Sequence, residues 1–282
     1  MISPFIDSVI IGVGINVLIA LGLYFTLATG QFSVGHGGFM AVGAYTASVL
    51  TVNFGWALLP AVLGSALAAF AIGILIGLPV MRFSHLYLAM ATFGFGEIVR
   101  SIFSVIDYVG GVGGMRGMSG TTVPLVLGFV AAAIAFSWLH SRSRWGLACD
   151  AIRQDEDAAA AMGINIRMNK VMAFGVGAGI TGVGGGLYAH HFFFIEPSTF
   201  GLNMSVAIIL FVIFGGIETF WGAILGAVVL SLLPDLFRFL KDWYLFVYGL
   251  LFVLLMIFRP QGVLDRPLLR KLQSVFSRKQ SA

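Results

Sequence analysis

Predominantly apolar segments, each close to the length of a bilayer crossing, recur through this chain of 282 residues. A transmembrane helix needs about 20 apolar residues, with a range of about 17–25. The chain has 59% hydrophobic and 10% charged residues, which excludes a soluble domain, because soluble domains carry roughly 25% charged residues. The pattern predicts a single all-α membrane domain over residues 1–282. Its candidate spans are 6–28, 56–81, 86–106, 123–138, 171–188 and 243–258.

Two further apolar segments depart from the length of a simple span. Segment 39–52 is short and follows the glycine-rich stretch 30–38, so we expect a short helix that starts from irregular backbone. Segment 204–233 is too long for one span and divides at Gly215-Gly216 into two halves. Half-helices are tolerated where protein or a watery cavity covers the loosened backbone. We predict a polytopic helix bundle of about eight to nine spans, nine if both halves cross and seven if they form a re-entrant hairpin.

The basic residues predict the orientation of the chain. Of the 16 Lys and Arg residues, one is Arg82, five lie in 141–170 and six lie in 259–282. Cytoplasmic loops carry an excess of Lys and Arg, so this side is predicted to be cytoplasmic, with the N-terminus outside and the C-terminus inside. We interpret the basic tail 259–282 as a cytoplasmic anchor, with a lipid headgroup site as the alternative.

The segment 141–170 is the one long polar stretch, and it holds nine charged side chains. An apolar stripe on a first short helix is predicted at Ala148, Ala151 and Ile152. Three acids from Asp155 suit the first turn of a second helix, and Gly163 can end that helix. We interpret the segment as a compact cytoplasmic knob that docks on a soluble protein. An amphipathic loop lying on the bilayer is the alternative.

Polar residues at membrane depth are candidates for a solute path. Glu97 and Arg100 lie three residues apart on one helix face. Such residues usually face a bundle interior or a cavity, so they either line a path or form an ion pair that anchors the helix. His36, at the start of the short span, either contacts substrate or donates hydrogen bonds to irregular backbone.

Several familiar sites are excluded. The pattern G-x-G-x-x-G at 177–182 lies inside an apolar span, where close helix packing explains it better than a dinucleotide. No P-loop motif occurs, no catalytic set is assembled by spacing, and His190-His191 near Glu196 lack further metal ligands. The net charge of +4 reflects loop bias and not nucleic-acid binding. Cys149 is the only cysteine, which excludes an internal disulfide and suggests a reducing compartment. We expect no cofactor and no metal.

In the polar segment, Asp157-Ala158-Ala159 is followed after three residues by Gly163. This pattern resembles the Glu-Ala-Ala-x-x-x-Gly signature in the coupling segment of ABC importer permeases, with Asp in place of Glu. The later Ile-x-Leu-Pro part of the signature is absent, as is usual in the branched-chain amino-acid permeases.

Further blocks resemble the M-type subunit of that branch, in the order of the family. Departures are Val112, Leu147 and Glu218, where Thr, Arg and Gly are more common. The blocks are GHGGF at 35–39 with GAY at 43–45, YLAMAT at 87–92 with EIVR at 97–100, GGMRG at 113–117, SRWG at 143–146 with AIRQDE at 151–156, GGIET at 215–219, and FRPQG at 258–262.

The resemblance implies an ABC importer permease in a bacterial inner membrane, surrounded by lipid. Its partners would be an H-type permease that completes a heterodimer, two cytoplasmic ATPases and a periplasmic binding protein. The implied residues for coupling to the ATPases are Arg144, Gly146, Arg153, Asp155, Glu156, Asp157, Ala159 and Gly163. The candidates for the translocation path are His36, Thr92, Glu97 and Arg100.

The implied function is import of branched-chain amino acids by alternating access, with ATP hydrolysis on the separate subunits, so the chain itself is not an enzyme. Related permeases for urea, amides or other amino acids are the alternative substrate classes. An ion-coupled secondary transporter is a less favoured alternative, since it needs no docking segment. An intramembrane enzyme is disfavoured because no catalytic constellation is present.

Overall fold

The fold is a bundle of apolar helices. The computed structural model describes residues 4–83, 85–236, 249, 253 and 262–264. Its helices are α1 (Pro4–Leu27), α2 (His36–Val52), α3 (Leu58–Val80), α4 (His85–Val105), α5 (Val123–Arg142), α6 (Arg144–Gln154), α7 (Glu156–Ala161), α8 (Ile166–Phe192), α9 (Leu202–Gly215) and α10 (Phe220–Leu236). Short 3₁₀ turns lie at Asp107–Val109, Gly111–Gly113 and Pro197–Phe200, and two short strands are β1 (Met115–Arg116) and β2 (Phe194–Ile195).

The helices follow the predicted spans. Within the described residues, α1, α3, α4, α5 and α8 are long and apolar enough to cross a membrane, and α9 with α10 forms a pair bent by 118°. The bend falls at Gly215-Gly216, where Gly216 adopts a φ of +117°, as the sequence predicted. Helix α2 is short and follows non-helical backbone. The predicted span 243–258 and the tail 259–282 fall almost entirely outside the described residues.

One end of the bundle, here called the loop face, carries α6 and α7. The α3–α4 turn lies there too, because Arg82 lines the same cavity as Glu156 and Lys170. The α9–α10 turn joins it, since Phe220 lines a second cavity with residues of α5 and α6. Backbone hydrogen bonds place segment 262–264 against this turn, with Val263 N donating to the Phe214 carbonyl over 3.0 Å. Arg82 and the polar segment 141–170 therefore lie at the same end of the bundle, as the sequence predicted.

The opposite end, here called the far face, is closed by the only strand pair among the described residues. Strands β1 and β2 are antiparallel, with Met115 opposite Ile195. The pair joins the α4–α5 connection to the chain that leaves α8. It therefore fixes two connections at the end of the bundle remote from the polar segment.

Helix α8 is the centre of the bundle, and its glycines allow three helices to approach it closely. A Cβ on Gly177 would lie 2.5 Å from the Gly22 carbonyl of α1, and one on Gly185 would lie 2.1 Å from the Met40 carbonyl of α2. From α3, the Ser65 hydroxyl donates to the Gly182 carbonyl over 3.1 Å. The G-x-G-x-x-G pattern thus lies inside a packed helix, as close helix packing requires.

We predict that Gly43→Ala destabilises the bundle. Its Cβ would lie 2.2 Å from the Gly182 carbonyl oxygen, and overpacking of this kind costs roughly 1–3 kcal/mol. The thermal unfolding midpoint of the purified transporter should fall by several degrees. Gly128→Ala on α5 is the matched control, because its Cβ would meet nothing within 4 Å. An equal midpoint for both variants would contradict the close packing of α2 on α8.

Candidate functional site

The polar segment folds into two short helices, each with a side-chain cap at its N-terminus. The Ser143 hydroxyl accepts the Gly146 N–H over 3.0 Å and begins α6. One carboxylate oxygen of Asp155 accepts the N–H groups of Asp157 and Ala158, each over 3.0 Å, and begins α7. These caps satisfy amide donors that a helix leaves free at its start. The predicted helix–turn–helix is confirmed.

Gly163 ends α7 with a left-handed residue. Its φ is +80°, and the N–H of Ile164 donates to the Ala159 carbonyl over 3.1 Å. Residues with a side chain pay a steric cost in this conformation, whereas glycine does not. The chain then turns into α8, whose first turn is capped by the Asn165 side chain.

The buried stripe of α6 differs from the predicted one. Of the predicted stripe, Ile152 is buried, whereas Ala148 and Ala151 are only half-buried. Gly146 and Cys149 are buried in their place. Tertiary packing explains the difference. The Trp145 ring stacks near the Phe25 ring of α1, with ring centroids 6.3 Å apart, and this contact sets the rotation of α6 about its axis. A Cβ on Gly146 would lie 2.0 Å from the His140 carbonyl, so α6 leaves α5 through a backbone contact that only glycine permits.

The predicted coupling residues divide into an exposed and a buried group. Gly146 and Ala159 are buried beneath the helices. The Arg153 side chain is 17% exposed and lies 3.8 Å from Asp150. Apolar Leu147 and Met162 are exposed beside the polar group, so the surface combines charge with apolar area, as protein interfaces do. The exposed coupling residues are Arg144, Asp155, Glu156, Asp157 and Gly163.

The polar segment contacts the membrane-spanning helices at several points. The Lys170 ammonium of α8 lies 2.5 Å from the Glu156 carboxylate of α7. Gly30, in the α1–α2 connection, lies close to Arg153 at the end of α6. A Cβ added to Gly30 would lie 3.7 Å from the Arg153 Cα. Together with the Gly146–His140 contact, these ties connect the segment to α8, to the α1–α2 connection and to α5. The polar segment therefore contacts the membrane-spanning helices directly at both of its ends.

Glu97 and Arg100 form an ion pair on α4. The guanidinium Nη2 lies 2.6 Å from a Glu97 carboxylate oxygen, and the two side chains are 31% and 40% exposed for Glu97 and Arg100 respectively. The backbone at the start of α9 lies close to this pair, since a Cβ added to Gly201 would lie 3.7 Å from the Arg100 Cδ. The pair lies about 18–22 Å along α4 from the loop face, at 1.5 Å per residue. Its apolar neighbours Ile98 and Ile102 are exposed.

His36 and Thr92 lie in the packed interior and not on the surface of α4. The Thr92 hydroxyl accepts the Val34 N–H over 3.0 Å and donates to the Leu88 carbonyl over 2.9 Å. His36 Nε2 lies 3.4 Å from the Thr26 hydroxyl of α1. The two side chains hold the irregular backbone before α2, so the four path candidates form one interior pair and one surface pair.

The structure also shows buried polar groups that the sequence analysis missed. His140 at the end of α5 and Gln31 in the α1–α2 connection are buried. Their side-chain nitrogen and oxygen atoms have no hydrogen-bond partner among the described residues. No local pattern distinguishes these residues from ordinary interfacial ones, since their burial depends on helices distant in sequence.

No group of three or more His, Cys, Asp or Glu residues arranged to hold a metal ion occurs in the described part of the chain. His190 instead contacts the Thr51 hydroxyl through Nε2 over 2.8 Å and the Gly186 carbonyl through Nδ1 over 2.8 Å. His191 lies 3.2 Å from the Ser8 hydroxyl. Both histidines therefore connect the ends of helices at the far face.

Comparison with known proteins finds transport permeases. The family model described as "Branched-chain amino acid transport system / permease component" matches residues 5–258. The high-affinity branched-chain amino acid transport system permease protein LivM of Escherichia coli is 31% identical, over 93% of this chain and 69% of that protein. LivH of E. coli is 25% identical, over 90% of this chain and 92% of that protein.

A relative from a differently named system also matches. The autoinducer 2 import system permease protein LsrC of Salmonella typhimurium is 25% identical, over 91% of this chain and 79% of that protein. No solved structure matches the chain.

We predict that Cys149 resists thiol reagents in the folded protein, although it lies in the polar segment. It is 1% exposed, and burial together with the nearby Asp150 carboxylate raises the pKa of its thiol to about 12. The reactive thiolate is therefore scarce at neutral pH. A maleimide should leave Cys149 unmodified until the protein is denatured. Met162→Cys, at a position 82% exposed, should react at once; rapid modification of Cys149 in the native state would contradict the packing of α6.

Proposed function

The chain belongs to the family of branched-chain amino acid transport permeases, and from this premise we propose that it forms part of the path for leucine-like amino acids. It is a permease subunit of an ATP-driven importer and a multi-pass protein of the inner membrane, and it is not an enzyme. The α6–α7 knob is the observation that carries the mechanism, because a permease without a soluble energy source has no need of it.

In this mechanism the exposed residues of α6 and α7 dock on a cytoplasmic ATPase. Two such subunits serve the two permeases of the transporter, and their closure on ATP displaces each knob. The Glu156–Lys170 ion pair and the Gly146–His140 backbone contact pass the displacement to α8 and α5. Rigid-body rotation of packed helices then opens the path to one side of the membrane or the other.

The surface of α4 is proposed to face the path and an H-type permease partner. An ion pair at this depth is costly against lipid, and Glu97 and Arg100 remain partly exposed on an otherwise apolar helix face. A second permease with a watery path between the subunits removes that cost. The partner is expected to be a different permease, because this chain resembles the M-type subunit, which forms a heterodimer with an H-type subunit.

The ion pair also suits the chemistry of a free amino acid. The substrate carries an ammonium and a carboxylate on one carbon, and these groups complement Glu97 and Arg100 respectively. As the zwitterion passes this depth of the membrane, its ammonium pairs with Glu97 and its carboxylate pairs with Arg100. No charge of the solute or of the protein is then left unpaired. His36 and Thr92 are proposed to position α2 against α4 and not to touch the solute.

The loop face is proposed to be cytoplasmic, with the N-terminus outside, and a periplasmic binding protein is proposed to deliver solute at the far face. The excess of Lys and Arg at the loop face supports this orientation. We expect an impermeant reagent to modify Met162→Cys in inside-out vesicles and to leave it unmodified in right-side-out vesicles.

The solute that the binding protein retains decides between leucine-like amino acids and the alternatives of urea, amides or other amino acids.

We predict that Gly163→Leu uncouples ATP hydrolysis from uptake. A side chain at φ +80° costs roughly 1–2 kcal/mol, which shifts the end of α7. Transported solute per ATP hydrolysed by the reconstituted transporter should fall at least about fivefold.

Gly55→Leu is the matched control for the Gly163 variant. It has φ +68°, and a Cβ there also meets nothing within 4 Å, but it lies at the far face between α2 and α3. The control should keep normal coupling. Normal coupling in the Gly163 variant as well would reject the docking role, provided that the ATPases still purify with the chain.

We predict that Glu97→Gln lowers transport about tenfold while the complex still assembles, because it removes a charged hydrogen-bond acceptor worth about 1.5–3 kcal/mol. The double variant Glu97→Gln/Arg100→Gln separates the two interpretations. If the pair only anchors α4, the neutral double variant restores transport, since no charge remains unpaired. If the pair lines the path, transport stays low, and uptake kinetics alongside size-exclusion profiles distinguish the outcomes.

A further inference from the structure

A cavity of about 270 Å³ opens at the loop face, between the α1–α2 connection, the α3–α4 turn and the starts of α7 and α8. Its lining includes Arg82, Lys170, Glu156 and Gln31. Two cations and one anion give the lining a net charge of +1. Arg167 adds a further cation nearby, since its guanidinium donates to the Leu78 carbonyl at the end of α3 over 3.3 Å.

Besides the positive charge of the lining, the side chain of Gln31 indicates that this cavity binds a polar ligand. The residue is 2% exposed, and neither its amide nitrogen nor its amide oxygen has a hydrogen-bond partner among the described residues. Burying an unpaired amide costs free energy. An amide that lines a cavity beside two cations can donate to an anionic oxygen, which removes this cost.

The surface of α3 indicates what kind of molecule reaches the cavity. One face of α3 packs on α8, and the other exposes a stripe of leucines at roughly one-turn spacing, which we call the leucine stripe. It comprises Leu59, Leu63, Leu67, Leu75 and Leu78, which are 44–70% exposed. The stripe ends at Leu78, four residues before Arg82 in the sequence, so an acyl chain that lies along the stripe can bring its headgroup to the cavity. Basic pockets between spans at a membrane surface bind anionic headgroups.

We propose that this cavity binds the phosphate of an anionic phospholipid. The phosphate lies between Arg82 and Lys170, the Gln31 amide N–H donates to a phosphate oxygen, and the acyl chains follow the leucine stripe. Lys170 is then shared between the lipid and Glu156 of α7. The bound lipid therefore contacts the coupling segment directly. This site lies apart from the candidate path residues, so its occupancy does not depend on which solute is carried.

A second cavity at the loop face has the opposite charge balance. It measures about 390 Å³, and its lining includes Arg142 with the two acids Asp150 and Glu218. A net charge of −1 does not favour an anion. Arg142 therefore offers a control with an equal charge change at the same face of the membrane.

The test measures lipid bound to the purified, delipidated transporter by native mass spectrometry. The probes are phosphatidylglycerol, phosphatidylcholine with the same acyl chains, and glycerol 1-phosphate. The wild-type complex should retain phosphatidylglycerol at least about fivefold more tightly than phosphatidylcholine, the factor expected for roughly one basic side chain at a membrane surface. Equal retention of the two lipids would overturn the proposal. Displacement of phosphatidylglycerol by glycerol 1-phosphate at equal concentration would also overturn it, in favour of a soluble phosphate.

Charge variants of opposite sign sharpen the test. Arg82→Gln should lower retention of phosphatidylglycerol about fivefold, and Glu156→Gln should raise it. Arg142→Gln should leave retention unchanged. An equal loss in the Arg82 and Arg142 variants would mean that the general charge of the loop face attracts the lipid, which would reject a specific site.

Discussion

The close approach of three helix backbones to α8 is the contact on which the rest of the structure depends. Lipid tails are as apolar as leucine, so helices in a bilayer associate through tight packing and hydrogen bonds and not through the hydrophobic effect. The glycines of α8 supply that packing. At Gly182 an added Cβ would lie 2.8 Å from the Ser65 carbonyl of α3, and at Gly177 it would lie 2.5 Å from the Gly22 carbonyl of α1. Side chains at these positions would separate the helices and loosen the whole bundle.

This central helix also joins the two ends of the protein. It begins beside the coupling segment, where Lys170 contacts Glu156, and it ends at the far face, where His190 contacts Thr51 of α2. A rigid element that touches α1, α2 and α3 along its length moves them together. In the proposed mechanism, the same packing that stabilises the bundle is the route by which a displacement at α7 reaches the opposite side of the membrane.

The described charged groups lie where an opposite charge or solvent offsets the free-energy cost of burying them. Glu97 and Arg100 neutralise each other on α4, and the α6–α7 segment keeps most of its acids exposed. Thr92 and Ser65 are fully buried, and each of these neutral side chains makes a hydrogen bond with a backbone group. Gln31 and His140 are exceptions, because their buried side-chain atoms have no hydrogen-bond partner among the described residues.

The sequence by itself determined the features that depend on local chemistry: the apolar spans, the break at Gly215-Gly216, the acidic start of α7 and its end at Gly163. Each follows from residues within one or two helical turns, so each was predictable. Only the tertiary structure decided which face of α6 is buried, because Phe25 and His140 lie on other helices. It likewise decided that His36 and Thr92 are interior and that Gln31 meets Arg82 and Lys170 in one cavity. Contacts between residues distant in sequence depend on how the helices pack, and no single helix encodes that arrangement.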